Sequence, residues 1–247
     1  MLNITLLALT LWGGVLVEPF RIAEAEPGHN QECVRTAMAT DGHFAVAWVD
    51  HLQPLGAWLE LDVYIRFFDP DGSPLTDAYK ITKAADTNWI GGFHLDMDSA
   101  GNTVLIWTEY PRLYPNEDLL RLQLFDSSGN PLGSPQTDHQ GYISSGRAIG
   151  VSLNDQAEFA IAWDIGGEIY ARRYSLEGGP QGDSFRVHDD PPDRVSCNYP
   201  GVALSDAGDL VVTWHEFRLP PNAVSYPRFQ VFDAEDEPIL GWEPMGH

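Results

Sequence analysis

An acid stands just beyond each of four tryptophans: Asp50 after Trp48, Glu109 after Trp107, Asp164 after Trp163 and Glu216 after Trp214. Aromatic residues, Trp89, Tyr142 and Tyr199, lie in the segments that enter three of the same units. Carboxylates set among aromatic rings can hold a sugar, a cationic peptide or a Ca²⁺ ion through oxygens. Two of the acids, for example Asp164 and Glu216, can also act as the acid and base of a glycan hydrolase. That chemistry needs two carboxyl groups about 5–9.5 Å apart. The plainer reading of all four is that they are solvated strand ends, copied along with the unit that carries them.

Other chemical signals are weaker. Asp96-Met97-Asp98-Ser99-Ala100-Gly101 begins like a Ca²⁺ loop, but alanine stands at the third ligand position and no closing Glu follows. It reads as a turn. Gly182-Asp183-Ser184 looks like an esterase nucleophile block, yet it falls where a short strand is expected, with no strand-to-helix elbow. His215-Glu216 has no second histidine four residues on, so it is not a zinc-protease helix. No metal-ligand set is assigned.

The elements that position these residues come from a repeat. FAVAW, TVLIW, FAIAW and LVVTW end at the four tryptophans, and six residues before each lies a turn position: Gly42, Gly101, Ala157, Gly208. Alternating apolar residues precede that turn and predict a first strand. A third strand follows the tryptophan and ends at Phe68, Phe125, Tyr174 and Phe232. Six residues after each of these aromatics comes proline, at Pro74, Pro131, Pro180 and Pro238. A short fourth strand is clearest in Tyr79-Lys80-Ile81 and Phe185-Arg186-Val187, and Phe20-Arg21-Ile22 repeats it ahead of the first unit. The second strand is apolar on both faces, so a sheet must cover each side of it. The pattern predicts an all-β chain, a β-propeller of four four-stranded antiparallel blades. A β-sandwich, or half of a larger ring, is the alternative.

These units resemble the tryptophan-bearing repeats of secreted bacterial surface proteins, with a pattern near PxVAxxxxGxFVVxW…IYxRxFDxxGxPxGxxFxVN. The third unit, FAIAW…EIYARRYSLEGGPQGDSFRV, and the fourth, PGVALSDAGDLVVTW…FQVFDAEDEP, carry the likeness. It covers about residues 18–240 and implies the propeller architecture and a place outside the cytoplasm. The Ser-x-Asp-x-Gly-x-Thr-Trp box of sialidase propellers is absent, so no sialidase activity follows.

The net charge of −22 repels nucleic acid and anionic membrane, and neither is an expected partner. Glycine (23 residues) and proline (18) are abundant enough to serve the many turns of an all-β chain. Leu2 to Val17 is apolar and too short for a membrane span. Residues 1–17 are read as a signal peptide or an N-terminal hairpin, and 18–247 as one propeller domain, secreted or at the cell surface. Cys33 and Cys197 both stand at the entry to a first strand, in the first and last units. In a closed ring those units are neighbours, which predicts a disulfide. The leading functional expectation is a non-catalytic binding or scaffold module, monomer or homodimer, for a glycan, peptide or protein surface. Its rim is Asp50, Trp89, Glu109, Tyr142, Asp164, Tyr199 and Glu216. No cofactor is expected, with Ca²⁺ as the one candidate ion. The alternative is a propeller glycan hydrolase that uses the same carboxylates.

Overall fold

The structure is a computed structural model. It describes residues 21–24, 27–52, 61–81, 83, 85, 88–111, 117–141, 143, 149–177, 179–188, 195–218 and 224–241. Phe20, residues 1–17 and Tyr142 lie outside these, as do most of the connections between second and third strands.

Four antiparallel sheets follow one another along the chain. Blade 1 is β1 (His29–Met38), β2 (Phe44–Leu52), β3 (Leu61–Phe68) and β4 (Tyr79–Lys80). Blade 2 is β5 (Trp89–Met97), β6 (Thr103–Tyr110), β7 (Leu119–Phe125) and β8 (Pro131–Gln140). Blade 3 is β9 (Ile149–Leu153), β10 (Glu158–Ile165) and β11 (Glu168–Ser175), with its outer strand split into β12 (Gly179–Pro180) and β13 (Phe185–Arg186). Blade 4 is β14 (Val195–Leu204), β15 (Leu210–Arg218), β16 (Val224–Phe232) and β17 (Pro238–Gly241). This is the four-bladed propeller that the repeat predicts.

The landmarks in the sequence have local causes. The turn between first and second strands needs a left-handed residue, supplied by Gly42, Gly101 and Gly208. Blade 3 forces Ala157 into the same conformation at φ 60°. A left-handed alanine costs about 1–2 kcal/mol, part of which glycine gives back as unfolded-chain entropy. Ala157→Gly is therefore expected to stabilise the protein by about 0.5–1 kcal/mol, read as a rise in the denaturation midpoint. The prolines mark the turn between third and fourth strands: Pro74, Pro131, Pro180 and Pro238 pair directly with Phe68, Phe125, Tyr174 and Phe232. Asp98 spends its carboxylate on its own turn, accepting from the amides of Ala100 and Asn102 and from the Asn102 side chain. The turn reading of that motif therefore holds.

Period-two alternation sets which way each second-strand residue looks. Trp107 packs with Ala45, Ala47 and Val49 of blade 1. Trp163 packs with Val104 and Ile106 of blade 2, and Trp214 with Ala160 and Ala162 of blade 3. Each tryptophan thus faces the preceding blade, while the residues one and three before it face the following blade. All four tryptophans are buried. Inner strands are tied across blades as well: Asp96 accepts from the Leu153 amide, and the Ser152 hydroxyl from the Leu204 amide.

Packing runs from β1 through β5 and β9 to β14. Among the described residues no comparable packing joins blade 4 back to blade 1. Thr213, His215, Phe217 and Phe229 face away from blade 3 and remain exposed. Two expectations fall with this. The disulfide is absent: Cys33 and Cys197 are both free, Cys33 on the exposed β1 and Cys197 buried between blades 3 and 4. Their blades are not neighbours, so the sulfurs have no route to each other. Nor is Arg21-Ile22 a strand. The Ile22 carbonyl instead accepts from Arg66 Nη1 of β3 at 2.9 Å. In blade 3 the matching Arg172 donates to Asp138 on the outer strand of blade 2. The segment therefore runs where a preceding blade's outer strand would lie, without forming a ladder.

Candidate active site between blades 3 and 4

The acids beyond the tryptophans do not form one exposed rim. Their directions follow from a difference of one residue in spacing. Asp50, Glu109 and Glu216 are two residues after their tryptophans and share the tryptophan's face, toward the preceding blade. Asp164 is one residue after Trp163, so it looks the other way, toward blade 4. The interface of blades 1 and 2 therefore receives one acid, Glu109. The corresponding positions between blades 2 and 3 are Thr108 and Ile165, and neither is acidic. Among the described residues only the interface of blades 3 and 4 receives two, Asp164 from β10 and Glu216 from β15, both buried.

Glu109 is a structural anchor. It accepts from the Trp107 indole at 2.9 Å and from Asn88 at 2.8 Å, with Arg121 at 3.6 Å. Asp50 is half-buried and bonded to His29 at 2.5 Å and Gln31 at 3.2 Å. Trp89 and Tyr199 are exposed. Tyr199 sits on a β-bulge of β14 with φ 58°, and Cys33 occupies the equivalent bulge of β1 with φ 55°. Bulges re-aim side chains at sheet rims. This pair of strained residues carries no periodic signal, and the sequence did not reveal it.

Glu216 is held between two guanidiniums that the sequence reading also missed. Arg218 Nε donates at 3.1 Å and Arg228 Nε at 2.9 Å, one to each carboxylate oxygen. Arg218 is two residues along β15 from Glu216, hence on the same face, and that spacing was the available signal. Burial pushes the Glu216 carboxyl up, but the hydrogen bonds and charges of Arg228 and Arg218 outweigh it and hold the group below its ordinary 4.5. A carboxylate with a depressed folded value stabilises the fold above its unfolded value and loses that contribution as pH falls through the folded one. The wild type should therefore lose more stability than Glu216→Gln as pH is lowered below 4.5, measured by thermal denaturation. Cys197 pairs with Glu216 across the strands. Burial, then the nearby Glu216 charge, push its thiol up to about 12.

Blade 3 meets this interface with a tight hairpin, Gly166-Gly167, at φ 63° and 90°. The Cys197 amide bonds the Gly167 carbonyl at 2.7 Å. A Cβ on Gly167 would stand 2.8 Å from Ser196 Oγ, so only glycine lets β14 approach this closely.

Among the described residues no group of His, Cys, Asp and Glu could hold a metal ion, and no helix is long and apolar enough to cross a membrane.

No known protein family matches the chain, and neither does any curated protein. Solved structures do. The chain is similar to a GH93 α-L-arabinofuranosidase of Fusarium graminearum in complex with arabinobiose. The TM-score is 0.52 at 10% identity, over 81% of this chain and 62% of that one. It is also similar to a Penicillium chrysogenum α-L-arabinanase complexed with arabinobiose. There the TM-score is 0.53 at 10% identity, over 86% of this chain and 66% of that one. The chain therefore spans less than two thirds of the length of either structure. These likenesses support the fold. The expected exposed acidic rim of a non-catalytic module is corrected: Glu109, Asp164 and Glu216 are buried, the last two on facing blades, and the two similar structures are those of glycan-cleaving enzymes.

Proposed function

We propose that the protein cleaves glycosidic bonds, with Asp164 and Glu216 as its paired carboxyl groups. The observation that carries this reading is that one inter-blade interface, and one only among the described residues, receives two acids beyond its tryptophans. Paired carboxyls flanking a sugar linkage are the usual means of glycoside hydrolysis. The two need different protonation states. Glu216, clamped by Arg218 and Arg228, stays ionised and serves as base or nucleophile. Asp164, buried on the facing blade, is the residue that gives its proton to the leaving oxygen. The two similar structures, both bound to arabinobiose, make an arabinose-containing polysaccharide the first substrate to try. The same reading places the protein outside the cytoplasm, where such polymers are met.

The test is release of reducing ends from a panel of purified polysaccharides, arabinan first. Turnover of at least one polymer, abolished by heat, is the expected result. No release from any polymer, by protein shown to be folded, would sink the reading.

A further inference from the structure

The clamp on Glu216 reaches beyond that residue. Both arginines also lie over the ring of Tyr226, with guanidinium carbons 5.8 Å (Arg218) and 5.4 Å (Arg228) from its centroid. Tyr226 pairs with Glu216, and Arg228 with Trp214, so all of these side chains share the face of blade 4 that looks toward Asp164. Tyr226 is 42% exposed, and the Arg218 side chain is 45% exposed. Arg218 is thus fixed on two sides, by a hydrogen bond through Nε and by an aromatic ring, while the remainder of its side chain meets solvent. A guanidinium held in place loses little freedom on binding, and its fork matches a carboxylate.

From this we infer that Arg218, supported by Tyr226 and Arg228, forms a subsite for the carboxylate of a uronic acid in the glycan substrate. The inference rests on the proposed glycan-cleaving role and names its substrate class. The charge balance favours an isolated carboxylate over a dense polyanion. The Arg218 guanidinium is a fixed positive group in a protein of net charge −22. A polyphosphate or a heavily sulfated chain would be repelled by the remainder of the surface. A neutral polymer with single uronic acid branches would meet the arginine alone.

The experiment is calorimetric titration of Asp164→Asn protein, which removes turnover, with a glucuronic acid-bearing oligosaccharide and with its neutral parent. The acidic sugar is expected to bind at least tenfold tighter, with the difference shrinking in high salt. Arg218→Gln in the same background should erase the difference, and Arg218→Lys should retain part of it. Arg218 is half exposed, so these changes leave the core intact. Equal binding of the two sugars, or a preference that survives Arg218→Gln, would overturn the inference. Because the readout is binding, a preference without any cleavage by the wild type counts against the catalytic role alone. Cleavage without the preference counts against this subsite alone.

Discussion

Glu216→Gln and Asp164→Asn should each lower glycan cleavage by about 10²–10⁴-fold, the usual range for loss of a positioned acid or base. The two losses should not multiply in the double variant, because both groups serve one displacement. Glu109→Gln is the control. It also disturbs a buried carboxylate with an arginine, an indole and an amide around it, and so costs stability. It faces a different interface, however, and its turnover should stay within about threefold of wild type, well inside the effect expected of a catalytic acid. Measuring kcat/KM of all three at a temperature where each is folded separates chemistry from stability. Equal losses in Glu109→Gln and Glu216→Gln would remove the distinction between them.

The second large effect is on folding. Trp163→Ala should destabilise the protein by about 3–5 kcal/mol, the range for truncating a buried large aromatic. Trp163 is 1% exposed and fills the space between blades 2 and 3 against Val104 and Ile106. Trp163→Phe should cost less than the alanine change, for a specific reason. The indole N–H of Trp163 is buried with no hydrogen-bond partner among the described residues. In blade 2 the equivalent N–H donates to Glu109. Blade 3 placed its acid one residue earlier, on the other face, and left its indole without that acceptor. Phenylalanine removes the unsatisfied donor along with the extra ring, and the two effects oppose. Urea denaturation of the three proteins measures both costs.

That same one-residue shift explains what was legible in the sequence. Apolar alternation, turn glycines and the aromatic-to-proline spacing each report a local backbone requirement, so the strands and their order could be read directly. Facing direction also follows from spacing, but Asp164 looks like a copy of its neighbours until its offset is placed on a pleated strand. The clamp was harder to see. Arg228 lies on a different strand from Glu216, and only the β15–β16 register brings it alongside. The seam was not legible either. A repeat of four says how many blades there are but not whether the last packs on the first, because closure depends on curvature accumulated over every interface. The expected disulfide failed for that reason and not through any error in placing the cysteines on first strands.

With Asp164 and Glu216 as the paired carboxyl groups, substrate must react between blades 3 and 4. The most direct measurement is a crystal structure of Asp164→Asn protein soaked with an oligosaccharide of the polymer that the wild type cleaves. The expected result is a glycosidic oxygen within hydrogen-bond reach of residue 164, with the Glu216 carboxylate on the same linkage. Sugar bound instead along the exposed face of blade 4, or at Asp50 and His29, with the cleft empty, would contradict it.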